Sequence, residues 1–239
     1  MATGKLYLLP TLLGSDNWEH VIPYDVVKIA KETRYFAVEE IKTARRFLRK
    51  IDREFPIDDS TFFVLNKNTP HHELAKMLVP LKEGKDVAIM SEAGCPGIAD
   101  PGANLVALAH QQNLLVMPLT GPSSILLGLI GSGFNGQTFT FHGYVPKERK
   151  QRIDAFKNYE RSAGQSGHTH IFMETPYRNN HLLEDLLNEC LDTTFLCIAC
   201  DLTLPSEQIQ TKTIKDWRKK AFSLEKRPTM FLIGKPFAD

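Results

Sequence analysis

The sequence has little cysteine, no long apolar run and almost no net charge, and each shortage excludes a class of protein. Its 239 residues include 4 cysteines, without the spacing of a disulfide framework or of paired zinc-binding motifs. No run approaches the roughly 18 apolar residues that a membrane helix needs, and no basic, apolar leader opens the chain. We therefore expect a cytoplasmic protein without a membrane span.

The balance of charge excludes a generally basic nucleic-acid binder, because 29 Lys and Arg residues face 28 Asp and Glu residues, a formal net charge of +1. RNA binding would have to rest on local clusters. One basic cluster recurs at helical spacing in 45–53, and a second, "PKERKQR" (146–152), follows a predicted strand. A run of charge is often only a solvated helix face. The second cluster is nevertheless a candidate phosphate site because a strand ends there.

Common catalytic and cofactor motifs are also missing. The chain has no G-x-x-x-x-G-K-[ST] and no G-x-S-x-G. "GSGFNG" (131–136) spells G-x-G-x-x-G, but it follows an apolar helix and precedes a strand, so we predict a helix stop and turn. Cys197 and Cys200 fall on a predicted strand, where residues three apart point to opposite faces. They predict two buried thiols, and we expect no metal site.

What the sequence does contain is a regular alternation of strands and helices. Short apolar runs such as "KLYLLP", "RYFAVE", "TFFVLN", "DVAIM" and "NLLVMPL" alternate with helical patterns, which predicts parallel strands with crossover helices. The pattern of predicted strands and helices changes within 119–137. We therefore predict an α/β fold of two lobes with mainly parallel sheets, a first domain over 1–120 and a second over 121–239. A cleft between the lobes is expected to hold a ligand.

Three turns at predicted strand ends stand out. "SEAGCPGIADPG" (91–102) directly follows the run "DVAIM", and its glycines let backbone groups approach a ligand while its prolines preset the loop. "LTGPSS" (119–124) and "METPYR" (173–178) end two further strands. Ligands of open α/β sheets bind at such turns. The alternative, which the spacing leaves open, is a set of tight structural turns.

The ordered set of motifs resembles the tetrapyrrole methylase superfamily of S-adenosylmethionine-dependent methyltransferases. Within it, the chain is similar to the bacterial enzymes that O-methylate a ribose of small-subunit ribosomal RNA. The family's S-D-A-G-T-P-x-I-S-D-P-G is matched by "SEAGCPGIADPG", its P-G-P-S-A by "TGPSS", and its Y-E-S-P-H-R by "METPYR". Its F-x-G-F-x-P resembles "FHGYVP", and its opening G-x-L-Y-I-V-x-T-P-I-G resembles "KLYLLPTLLG". The family's E-D-T-R is "EEIK" (39–42) here.

The resemblance implies two α/β domains, a homodimer, S-adenosylmethionine as cofactor and an RNA substrate from the small ribosomal subunit. Carried over position by position, the cofactor-binding residues are Leu9, Pro10, Glu92, Gly94, Cys95, Ser123, Ser124, Met173, Leu202, Thr203, Pro228 and Thr229.

The reaction that the resemblance implies is an in-line displacement at a methyl carbon, for which alignment of the reactants matters most. A ribose hydroxyl is a poor nucleophile, so a group that polarises or deprotonates it is expected. The catalytic candidates are Glu39, Glu40, His142 and Glu174. The candidates for binding RNA phosphates are Lys42, Lys147, Arg149, Lys150 and Arg152.

Three other functions remain open from the sequence. The first keeps the fold but methylates a tetrapyrrole or another small molecule. The second is a non-catalytic module that binds cofactor or RNA. The third, a nicotinamide enzyme, depends only on the misplaced "GSGFNG".

Overall fold

The computed structural model describes residues 3–14, 17–219 and 222–236. The chain divides into two compact units, Met1–Ser123 and Ser124–Asp239. Each contains one five-stranded sheet with helices packed against it.

The first unit alternates strands and helices. Its elements are β1 (Lys5–Leu9), a 3₁₀ turn (Trp18–His20), α1 (Tyr24–Glu32), β2 (Tyr35–Val38), α2 (Ile41–Ile51), β3 (Thr61–Val64), α3 (His71–Met77), α4 (Val79–Lys82), β4 (Val87–Met90), α5 (Ala103–Gln111) and β5 (Leu115–Pro118). The strand order is β3-β2-β4-β1-β5, and every neighbouring pair is parallel. The alternation read from the sequence is confirmed here.

Both faces of this sheet are buried, which explains the uninterrupted apolar run of β4. All four residues of that strand are buried. On one face, Leu48 of α2 belongs to a core cluster with Phe36. On the other, Leu105 of α5 packs with Ile89. The strand β5 lies at the edge of the sheet and is largely exposed.

The second unit comprises α6 (Ser124–Ser132), β6 (Phe139–Tyr144), α7 (Arg149–Ser166), β7 (Thr169–Met173), α8 (Asn179–Glu189), β8 (Phe195–Cys200), β9 (Gln208–Thr213), α9 (Ile214–Trp217) and β10 (Thr229–Gly234). Its strand order is β6-β7-β10-β8-β9. Only β6 and β7 are parallel, whereas β10 is antiparallel to both of its neighbours and β8 to β9. The prediction of mainly parallel strands is therefore wrong for this sheet.

The physical reason lies in the last third of the chain. A connection of 201–207 is too short for a crossover helix, so β9 returns antiparallel beside β8. The residues of β9, "QIQTKT", are mostly polar and form no apolar run. The pattern of 213–221 predicts a helix. The observed helix is only Ile214–Trp217, and residues 220–221 lie outside the described part of the chain.

Two smaller expectations are confirmed in the second unit. Helix α6 ends at Ser132, and Gly133 follows with φ of +73°, so "GSGFNG" stops a helix. Cys197 and Cys200 are fully buried, free thiols. Among the helices of the described residues, none is long and apolar enough to cross a membrane.

Candidate functional site

Three turns of the first unit meet at one edge of its sheet. Leu9 at the end of β1 pairs with Met90 at the end of β4, and Leu8 pairs with Pro118 at the end of β5. Because parallel strands end on the same side of a sheet, the segments that follow β1, β4 and β5 lie next to one another. This is the edge at which open α/β sheets bind ligands.

Hydrogen bonds join the first two of these turns. The Thr11 amide donates to the carbonyl oxygen of Gly94 at 2.9 Å, and the Ser91 hydroxyl donates to the same oxygen at 2.6 Å. The Thr11 hydroxyl also donates to the Ser91 carbonyl oxygen at 3.1 Å. Thr11 and Ser91 are both buried. The turns are therefore fixed by the protein itself, which lowers the cost of ordering them around a ligand.

Gly94 is required by both conformation and space. Its φ is +74°, and a Cβ there would lie 3.0 Å from Leu13 Cδ2 and 3.1 Å from the Pro122 carbonyl oxygen. The Cys95 thiol donates to the same Pro122 oxygen at 3.5 Å, and burial raises the pKa of that thiol. The turn after β4 is thus packed directly against the turn after β5.

Three carboxylates come together beside these turns. Asp100 is half-buried, and burial followed by repulsion from Glu39 and Glu92 raises its pKa from 3.8 to about 6. Sequence reasoning named Glu39 and Glu92 but missed Asp100 as an acid–base candidate. The only signal was an acidic residue within a Pro- and Gly-rich turn, which says nothing about its neighbours in space.

Glu40 and Lys42 lie at the start of α2. The Glu40 side chain accepts a hydrogen bond from the Lys42 amide at 3.0 Å and so caps the helix. Lys42 itself is exposed. Glu40 thus has a clear structural role, which also explains why this position suits an acid.

The remaining predicted cofactor residues of the first unit differ in what they expose. Leu9 is fully buried, and Pro10 is buried as well. Ser123 is partly buried at the end of the turn after β5, and Ser124 begins α6 in the second unit.

One edge of the second sheet collects five predicted cofactor residues of that unit. Met173 at the end of β7 pairs with Met230, and Thr229 at the start of β10 pairs with Cys200 at the end of β8. The following and preceding turns carry Leu202, Thr203 and Pro228. Within the described residues, the Thr203 hydroxyl is buried without a hydrogen-bond partner.

The turn after β8 adopts an unusual backbone that side chains hold in place. Asp201 has φ of +53° and Thr203 has φ of +71°, a region that residues other than glycine seldom occupy. The buried Asp201 carboxylate accepts from Arg227 Nε at 2.7 Å and from the Ser206 hydroxyl at 2.9 Å. Strain of this kind persists only where the surroundings fix it, often at functional sites.

Two predicted catalytic residues have partners of their own. Buried Glu174 accepts from the Thr175 amide at 2.8 Å and forms an ion pair with Arg178 at 3.0 Å. His142 Nε2 lies 2.9 Å from His170 Nδ1, and its ring stacks on Tyr159 at 4.2 Å. Burial lowers the pKa of His142, which favours its neutral imidazole.

The basic run "PKERKQR" splits into two kinds of side chain. Arg152 is buried, and its guanidinium donates to Asp185 at 2.5 Å and to the carbonyl oxygens of Pro146 and Lys147. Arg149 donates to Asp185 at 3.0 Å and to Glu189 at 2.8 Å.

The two arginines therefore fasten α7 to α8. Lys147 and Lys150 are exposed and form no ion pair within the described residues, so they are the available cations of this run. Over 3–14, 17–219 and 222–236, no cluster of three or more His, Cys, Asp or Glu residues has the arrangement of a metal site.

Comparison with known proteins identifies the family of this chain. A family model described as Tetrapyrrole (Corrin/Porphyrin) Methylases matches residues 21–217. Ribosomal RNA small subunit methyltransferase I of Halalkalibacterium halodurans is 30% identical, over 91% of this chain and 72% of the relative. The protein of the same name from Buchnera aphidicola subsp. Schizaphis graminum is 29% identical, over 97% of this chain and 78% of the relative.

Solved structures share the fold. The methyltransferase CobJ superposes with a TM-score of 0.62 at 16% identity, over 98% of this chain and 95% of that chain. The cobalt precorrin-4 methyltransferase CbiF gives a TM-score of 0.59 at 16% identity, over 96% of this chain and 94% of that chain.

Proposed function

We propose that this chain, which belongs to the tetrapyrrole (corrin/porphyrin) methylase family, transfers a methyl group from S-adenosylmethionine to a ribose hydroxyl of small-subunit ribosomal RNA. One observation carries the proposal. The glycine-rich turn after β4 lies at the ligand-binding edge of a parallel sheet, and the turns after β1 and β5 hold it in place.

The residues present fit the cofactor. A glycine with positive φ lets the backbone approach an adenosyl or methionyl group, and Glu39, Glu92 and Asp100 create a negative potential that favours a sulfonium cation. In the second unit, the buried Thr203 hydroxyl still lacks a partner within the described residues and is a candidate polar contact. The bound cofactor supplies an electrophilic methyl group.

Among the described residues, Asp100 is the one best suited to take the hydroxyl proton. With a pKa of about 6 it is mostly ionised at pH 7, yet it is more basic than an ordinary carboxylate. Glu174 and His142 are less available, since their polar atoms already bond to Arg178, Thr175 and His170. Glu39 remains part of the proposed site, because its charge helps to raise the pKa of Asp100.

Ribosomal RNA as acceptor is supported by the names of the curated relatives, which align with more than nine-tenths of this chain. Lys42, Lys147 and Lys150 are exposed cations that suit RNA phosphates. Arg149 and Arg152 are left out of this group because Asp185 and Glu189 hold them. The CobJ and CbiF structures share the fold alone and give no argument for a tetrapyrrole acceptor.

We also propose that the protein is a cytoplasmic homodimer. The edge strand β5 exposes Leu115 and Met117 on one face, at 49% and 36% of their surface, and Ile98 is 50% exposed. Apolar side chains on an open sheet edge are commonly covered by a partner. Light scattering after size exclusion tests this: a mass of one chain at micromolar concentration would refute it.

The reaction is tested in two steps. Calorimetric titration with S-adenosylmethionine should give saturable binding, whereas NAD, the control, should not bind. Radiolabelled methyl transfer to small ribosomal subunits that lack ribose methylation should then place the label on a ribose. Folded protein that binds no S-adenosylmethionine would overturn the proposal, and label on a base or on a small molecule would overturn the acceptor.

A further inference from the structure

A second feature of the first unit lies beside the turn after β4. A cavity of about 250 Å³ opens between α2 and the turns that follow β1 and β4. Six polar or charged residues line it: Thr11, Thr43, Arg46, Lys50, Ser91 and Glu92. The cavity therefore shares Ser91 and Glu92 with the proposed cofactor turn.

The wall formed by α2 follows from its sequence. Thr43, Arg46, Phe47 and Lys50 stand at i, i+3, i+4 and i+7, so they share one face of the helix. Phe47 is buried and closes the base of this wall, while Arg46 is exposed. The spacing puts the two cations one turn apart along the mouth of the cavity.

The arginines of α2 are engaged in different ways. Arg45 lies over the Phe62 ring at 5.2 Å, and Arg49 donates to the carbonyl oxygen of Arg53. Within the described residues, no ion pair, hydrogen bond or ring contact involves Arg46. Among these neighbouring arginines, Arg46 is thus the one whose guanidinium is available and lines a cavity.

The two sides of the cavity carry opposite charges. Arg46 and Lys50 stand on the α2 side, and Glu92 stands on the other, where its charge and that of Glu39 help to raise the pKa of Asp100. A ligand that uses both sides must combine an anionic group with hydrogen-bond donors, such as hydroxyl or ammonium groups. A nucleotide does so, through its phosphate and its ribose, and the volume suits one nucleotide rather than a four-pyrrole macrocycle.

We propose that this cavity is the pocket for the acceptor nucleotide: Arg46 binds a backbone phosphate of the RNA, Lys50 supports it, and the ribose faces the Ser91–Glu92 turn. The assignment rests on the proposed function, since it places the methyl acceptor beside the cofactor turn. A planar guanidinium forms paired hydrogen bonds with phosphate oxygens, which a lysine cannot reproduce.

The test compares Arg46→Ala with Arg49→Ala, a matched change one helical turn away. A fluorescein-labelled, single-stranded oligoribonucleotide is titrated by anisotropy at several salt concentrations. We expect Arg46→Ala to weaken binding about 10-fold and to lower the salt slope by about 0.7, the value for one phosphate contact on a single strand. Arg49→Ala should change neither. Affinity for S-adenosylmethionine should be the same in all three proteins.

Each outcome decides the assignment. Equal RNA affinity and slope for both variants, or no RNA binding by the wild-type protein, would overturn it. If Arg46→Ala melts at a lower temperature, Arg46→Gln and Arg46→Lys replace it. Weak RNA binding by both of these variants, with melting curves like that of the wild-type protein, still supports a paired phosphate contact. Arg46-dependent RNA binding without S-adenosylmethionine binding would refute the proposed function and leave the RNA pocket intact.

Discussion

The two sheets build comparable edges by different means. In the first unit, parallel strands deliver the ends of β1, β4 and β5 to one side, and the turns are joined through backbone atoms and the buried hydroxyls of Thr11 and Ser91. In the second unit, antiparallel pairing brings the ends of β7 and β8 to the same edge as the start of β10. There, the charged pair of Asp201 and Arg227 holds residues with positive φ.

The difference predicts what each edge tolerates. The first edge lacks space, so it should be sensitive to a single added methyl group. The second edge depends on a charge that is mostly out of water, so it should be sensitive to neutralisation without a change in size. The expected effects decrease from the glycine of the first edge to the exposed lysines of the second unit.

Gly94→Ala tests the first edge. The change places a Cβ at φ of +74° and within 3.0 Å of Leu13 Cδ2 and 3.1 Å of the Pro122 oxygen. We expect S-adenosylmethionine affinity to fall about 10- to 100-fold, because strain of roughly 1–3 kcal/mol must be relieved by moving the turn. Gly167→Ala is the control, with φ of +67° and no atom within 4 Å. Equal calorimetric affinities for both variants would contradict the prediction.

Asp201→Asn tests the second edge. Asparagine tolerates positive φ, so the change removes charge and little else. Because Asp201 is buried and its partner Arg227 is largely so, we expect the free energy of unfolding to fall by about 2–3 kcal/mol. Asp192→Asn, which breaks an exposed pair with Arg218, should cost less than about 1 kcal/mol. Urea unfolding measures the free energy of unfolding of both variants. Similar losses in the two would contradict the predicted sensitivity of the second edge.

Asp100→Asn tests the carboxylates of the first edge. Folding raises the pKa of Asp100 from 3.8 to about 6, so its ionisation penalises the folded state increasingly as pH rises from about 4 to 6. The asparagine variant should therefore be more stable than the wild-type protein at pH 7 and equal to it below pH 4. Melting temperatures across this range measure the difference. Methyl transfer should be lost in the variant, and retained activity would exclude Asp100 as the proton acceptor.

A double change, Lys147→Ala with Lys150→Ala, should have the smallest effect. These exposed lysines form no ion pairs within the described residues, so we expect unchanged stability and a modest loss of RNA affinity. The salt slope should fall by about 0.7 for each RNA phosphate that no longer has a lysine partner. Arg149→Ala should do the reverse, with lower stability and an unchanged slope, because Asp185 and Glu189 hold that side chain.

The sequence predicts the first unit well because its buried strands are plain apolar runs separated by helices. It predicts the second unit less well, because β9 is polar and lies at the edge of the sheet, where no apolar pattern is needed. Charged residues are harder still. Arg152 and Lys150 look alike in "PKERKQR". In the fold, Arg152 is buried beside Asp185, which is distant in sequence, whereas Lys150 is exposed. Asp100 likewise acquires its raised pKa from neighbours that only the fold supplies.

The place of β10 in its sheet also bears on protein synthesis. That strand lies between β7 and β8, although among the strands of the described residues it is made last. During synthesis, the parallel pair β6–β7 and the antiparallel pair β8–β9 therefore remain separate, with unpaired inner edges, until 229–234 has been made. The first unit has all of its strands by residue 118 and need not wait. Nascent chains of this protein thus carry one finished unit and one that exposes unpaired strand edges to chaperones until 229–234 has been made.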